Sequence, residues 1–109
     1  MRSILLAKGA MLAMNERGGR MLRLKVRYFL NEDGMRYFAN WLDEVYRITA
    51  LQDGFKDLRY EIEDGFPVVY LDFESQDKLD RWIDKPQHDE LASKIEPYFI
   101  KPLEVETED

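Results

Sequence analysis

Between Leu22 and Val105 the apolar residues switch back and forth between every second position and every third or fourth. That change of period restricts the chain to a mixture of strands and helices. Leu22, Leu24, Val26, Tyr28 and Leu30 alternate with Arg23, Lys25 and Arg27, the pattern of a half-buried strand. Asn31-Glu32-Asp33-Gly34 then offers turn and capping residues, and Phe38, Trp41, Leu42, Val45, Ile48 and Thr49 form the apolar stripe of a helix expected to run to about Leu51. After Asp53-Gly54, a second strand from Phe55 to Glu63 sets Leu58, Tyr60 and Ile62 against Asp57, Arg59 and Glu61. Glu63-Asp64-Gly65-Phe66 reads as a tight hairpin, so the third strand, Pro67 to Phe73, should be the antiparallel neighbour of the second.

Ser75 is a good helix cap, and Leu79, Trp82 and Ile83 form the stripe of the next helix until Pro86 interrupts or restarts it. Gln87 to Phe99 keeps helical spacing through Leu91, Ile95, Tyr98 and Phe99, after which Ile100, Leu103 and Val105 alternate into a closing strand. Pro102 makes that strand an edge or a bulged one. The resulting order is the ferredoxin-like β-α-β-β-α-β arrangement, an α+β fold with an antiparallel four-stranded sheet and helices on one face. Residues 1–20 differ in character, with two short apolar runs followed by Asn15-Glu16-Arg17-Gly18-Gly19-Arg20, and are expected to be an N-terminal extension to a domain spanning 21–109.

The 109 residues, 45% of them apolar, suffice for one two-layer core. A domain of this size buries only about 60–65% of its unfolded surface, so a second copy covering the open sheet face is a natural expectation, and a homodimer is anticipated. The net charge of −6 argues against nucleic acid as a partner. Without cysteine, and with a single histidine, the chain offers no disulfide, thiolate nucleophile, iron–sulfur ligation or histidine-rich metal site. Lys8 interrupts the apolar stretch after Arg2, and no small-residue cleavage site follows; the expectation is a cytoplasmic protein with no membrane association.

His88 is the only side chain whose ordinary pKa lies near neutrality, which makes it the candidate general base; the alternative is a histidine packed on the last helix, facing solvent beside Asp89 and Glu90. Trp41, Trp82, Phe73, Tyr60 and Tyr70 would line an aromatic pocket or simply fill the core. Arg27 and Arg59 lie on the charged sides of their strands, to steady an anionic substrate oxygen or to form cross-strand ion pairs. The carboxylates Asp72, Glu74, Asp77 and Asp80, at a loop and helix start, read as a solvated cluster more than as a metal site.

From strand one with Asp33-Gly34, through Phe38 and Trp41, Asp53-Gly54-Phe55 and Asp72-Phe73-Glu74-Ser75, to Trp82 with Pro86-Gln87-His88, the chain resembles the antibiotic biosynthesis monooxygenase family over about Leu22 to Val105. The resemblance implies a dimeric α+β barrel and a pocket between sheet and helices for small aromatic or quinol-like molecules, oxidised without metal, flavin or other cofactor. Members acting on polycyclic phenols carry an asparagine and two aromatic side chains where this chain has Val69, Phe73 and Leu79. The haem-degrading members carry asparagine, tryptophan and histidine where it has Arg27, Trp82 and Ala92. The expectation is a cofactor-independent monooxygenase of a small quinol-like or aromatic substrate, with His88 as base, Trp82, Phe73, Tyr60 and Trp41 as walls, and Arg27 or Arg59 at the developing anion. The alternative is a non-catalytic dimeric binding module for a small apolar molecule, and a third reading is an isomerase or dehalogenase on the same barrel.

Overall fold

The computed structural model describes residues 21–108, so the expected extension over 1–20 lies outside the described residues. Its elements are β1 (Leu22–Leu30), α1 (Glu32–Thr49), β2 (Phe55–Glu63), β3 (Phe66–Phe73), α2 (Gln76–Ile83), α3 (Pro86–Ile95), a 3-10 turn (Glu96–Tyr98) and β4 (Phe99–Glu108). The strands form one sheet in the order β2-β3-β1-β4 with every neighbouring pair antiparallel. This is the expected ferredoxin-like α+β fold.

Each boundary has a local cause. The Asn31 side chain accepts a 2.8 Å hydrogen bond from the Gly34 N–H and caps α1, whose first turn carries Glu32 and Asp33 where the helix dipole favours them. Ser75 caps α2 in the same way through the Lys78 N–H. Asp64 and Gly65 turn the β2–β3 hairpin with φ of 54° and 84°, the left-handed pair that such a short connection needs. Gly34 is required for another reason: a Cβ there would lie 2.6 Å from Tyr98 Cβ, so only a bare backbone lets the start of α1 sit against the 3-10 turn.

Two boundaries differ from the periodicity. The first helix stops at Thr49, short of Leu51. The last helix ends at Ile95, short of Phe99, because Pro97 has no N–H to continue the ladder; Glu96–Tyr98 tightens into a 3-10 turn and Phe99 already pairs with Leu30. Pro86 restarts the helix, as the first residue of α3. Pro102 lies where the β1–β4 pairing slips, on an edge strand, so its missing donor breaks no regular ladder bond.

The helices cover the face that bears Leu22, Leu24, Val26, Leu58, Val69 and Phe73. The core is in two clusters. One gathers β1 and Phe73 with Leu79, Trp82, Ile83 and Leu91; the other gathers Leu30, Leu58 and Val69 with Phe38, Trp41, Leu42 and Ile95. On the opposite face Arg23 grips Asp72, its register partner, through two hydrogen bonds of 2.7 and 2.9 Å, and the Asp72 side chain is almost wholly buried there.

Candidate functional site

The seam between the two core clusters does not close completely. A cavity of about 70 Å³ remains between sheet and helices, walled by Leu24, Val26 and Tyr28 of β1, by Trp41, Val45 and Thr49 of α1 and, on the last two helices, by Trp82, His88 and Leu91, with Leu58, Val69 and Leu71 from β2 and β3. No lining side chain carries a full charge at neutral pH. Burial pushes the Tyr28 hydroxyl well above the ordinary phenol range, so this ring is a neutral one.

His88 reaches the cavity because of the helix break. With Pro86 at its first position, α3 starts in a new direction, and the His88 N–H closes its first turn onto Lys85 C=O at 3.0 Å. The imidazole is then set edge-on to the Trp82 indole, with centroids 5.4 Å apart and planes at 88°. Its Nδ1 is buried and has no hydrogen-bond partner. Burial lowers the His88 pKa below the ordinary imidazole value, with the Asp89 charge opposing that shift in part, so the ring is an uncharged acceptor at neutral pH. Across the cavity, Trp41 donates its indole N–H to Leu91 C=O at 2.8 Å and ties α1 to α3.

The structure thus brings together three of the residues singled out in the sequence: His88, Trp82 and Trp41. The other five, Tyr70 among them, lie elsewhere. Phe73 is fully buried in the first core cluster, stacked edge-on against Phe55, and does not line the cavity. Tyr60 is partly exposed at the β2 edge, where its ring meets Phe38. Arg27 and Arg59 project from the far side of the sheet: Arg27 pairs with Glu63 and Asp64, and Arg59 lies 4.8 Å above the Tyr70 ring beside Asp57. From that face neither guanidinium reaches the cavity. The carboxylate run is dispersed as well, with Asp72 held by Arg23 and Glu74 by Lys78, and no group of metal-ligating side chains occurs among the described residues.

Tyr28 and Thr49 are the polar lining residues that sequence reasoning assigned to the core stripes alone. Strand alternation does place Tyr28 on the same face as Leu24 and Val26. For Thr49 the spacing gave its face, and only the packing exposes its hydroxyl as unpaired.

Comparison by sequence matches no family model and no curated protein. Comparison by structure does find relatives. A crystal structure of an antibiotic biosynthesis monooxygenase superposes with a TM-score of 0.71 at 13% identity, covering 81% of this chain and 96% of that one. A Nitrosomonas europaea protein assigned by name to the same family gives 0.75 at 10% identity over 83% of this chain and 89% of its own. The fold is that of the antibiotic biosynthesis monooxygenases. A hydroxynitrile lyase from Passiflora edulis superposes too, with a TM-score of 0.67 at 15% identity, covering 83% of this chain and 93% of that one, so proteins named for different chemistries share this antibiotic biosynthesis monooxygenase fold. Ala92 lines the cavity one helical turn after His88. Spacing of four along α3 puts both residues on one helix face.

Proposed function

We propose that the chain is a cofactor-independent monooxygenase of a small quinol-like substrate, with the seam cavity as its site and His88 as general base. The observation that carries this reading is the buried, unpartnered Nδ1 of an uncharged imidazole that belongs to the wall of a largely apolar cavity. A histidine serving only to pack or cap would have a polar partner or meet solvent, as the competing sequence reading required. Here the nitrogen can take a phenolic proton from a bound quinol. The resulting anion is electron-rich enough to form a carbon–oxygen bond with O₂; loss of water from the hydroperoxide then leaves one oxygen atom on the oxidised ring and releases the other as water. Proton transfer of this kind contributes about a hundredfold or more to rate.

The volume narrows the substrate. About 70 Å³ is far below the ~300 Å³ of the smaller drug-sized sites and below the ~150 Å³ of an apolar cavity that takes benzene. One six-membered ring is therefore the ceiling, and it enters with outward give of the wall side chains, whereas polycyclic phenols are too large. The test is oxygen consumption by the purified protein over single-ring quinols, with His88→Ala alongside. We expect uptake above the spontaneous rate, a loss of about a hundredfold in the variant, and a wild-type rate that is flat at and above neutral pH and falls only when the pH drops beneath the lowered pKa of the buried His88 imidazole. Uptake unchanged by the substitution removes His88 from the mechanism. Saturable binding without uptake favours the alternative, a non-catalytic module for a small apolar molecule, which the apolar lining would serve equally well.

A further inference from the structure

Three buried side-chain polar atoms among the described residues find no hydrogen-bond partner: Thr49 Oγ1, His88 Nδ1 and Gln76 Oε1. Gln76 opens α2 away from the cavity, but the other two belong to residues of the same cavity wall. Thr49, at 1% exposure, is deeply buried, and a hydroxyl in that position costs free energy unless it is paired. It stands at the last position of α1, and its hydroxyl does not bond back to the helix carbonyls as threonine often does.

We infer that Thr49 and His88 are two polar poles of one binding site, and that Thr49 determines specificity by selecting a neutral single-ring molecule with a polar group at each end over one with a single such group. The inference rests on the reading of the cavity as a binding site and adds to it the class of ligand. His88 takes a hydroxyl proton donor at one end through Nδ1, with the imidazole proton on Nε2. Thr49 Oγ1 exchanges a hydrogen bond with the second oxygen. A carboxylate or phosphate is excluded because no lining side chain offers a countercharge, and burial disfavours an imidazolium. A ring with one hydroxyl and a methyl in place of the other gains no hydrogen bond from Thr49, whose hydroxyl then stays unpaired as it is in the free protein, and so binds more weakly than a ring that satisfies it.

The test is an anaerobic titration, which separates binding from turnover, following the fluorescence of the two wall tryptophans. Hydroquinone is compared with 4-methylphenol, which has nearly the same shape and lacks one hydroxyl. The wild type should prefer hydroquinone by about tenfold. Thr49→Val makes the same hydroxyl-to-methyl exchange on the protein and should bring the ratio to about one by weakening hydroquinone alone, while Thr49→Ser should retain the preference. Both ligands are read on one preparation, so partial unfolding of a variant cancels from the ratio. A wild-type ratio near one, or a preference that survives Thr49→Val, overturns the role of Thr49 and leaves the site reading intact. Failure of both ligands to bind overturns the site reading itself, and with it this inference.

Discussion

A single imidazole with no partner has effects on folding that do not depend on any substrate. The folded state holds the His88 pKa below the ordinary value near 6.5, because burial penalises the charged ring. Above pH 6.5 the ring is neutral in both folded and unfolded chains and stability is unaffected. As pH falls from about 6.5 towards the lowered value, the unfolded chain takes up the proton first, so stability drops over that window. Urea midpoints measured from pH 7.5 to 5 should show this decline, and His88→Gln, which cannot protonate, should remove the His88 contribution to the slope. An identical slope in the variant would mean that the imidazole is not buried as described. This was the residue least legible in the sequence. Asp89 and Glu90 beside it pointed to solvent, and what turns the ring inward is the placement of the first turn of α3 against Trp82, which no local pattern encodes. The placement of Arg27 and Arg59 on the charged faces of their strands was fully legible; linking them to the pocket failed because pleating puts those faces on the side of the sheet away from the helices.

At the scale of elements, the periods of the apolar residues gave every strand and helix, because each element buries one face against the other layer. Their ends were less legible where a proline acted against the period, as Pro97 does in cutting the last helix. The least visible link is the one between α1 and α3. Trp41 fills the second core cluster, and its N–H to Leu91 C=O is a lone polar contact in an apolar seam. Trp41→Phe keeps an aromatic ring there while leaving the carbonyl without that donor, and should cost about 1–3 kcal/mol, measured as a shift in urea midpoint at constant slope. The same variant should widen the cavity at one wall. A cost indistinguishable from zero would show that the two helices are held by apolar packing alone.

For the whole molecule, the open question in the sequence was what covers the second sheet face. We propose a homodimer through that face, and sedimentation should report the mass of two chains at micromolar concentration; a single-chain mass would remove this part of the reading. The face is better satisfied by itself than composition alone indicated. Arg23, Lys25 and Arg27 on β1 stand directly opposite Glu108, Glu106 and Glu104 on β4, while Asp72 is already gripped by Arg23. Cross-strand opposite charges of this kind contribute ~0.2–1 kcal/mol each, so the sheet neutralises much of its own surface charge, and Val68 and Phe29 on that side are already buried within the single chain. Among the described residues no helix is long and apolar enough to cross a membrane.

The slipped register at Pro102 has a wider effect than local geometry. An unpaired strand margin can template the addition of further chains without limit, growing ribbons and finally fibres. On β4 that margin lacks one donor at the proline, where its pairing with β1 slips, and then bears three glutamates at alternate positions. An approaching strand would meet a break in the regular pairing at the proline, so this margin of the sheet resists polymerisation along it even when the chain is crowded to high concentration.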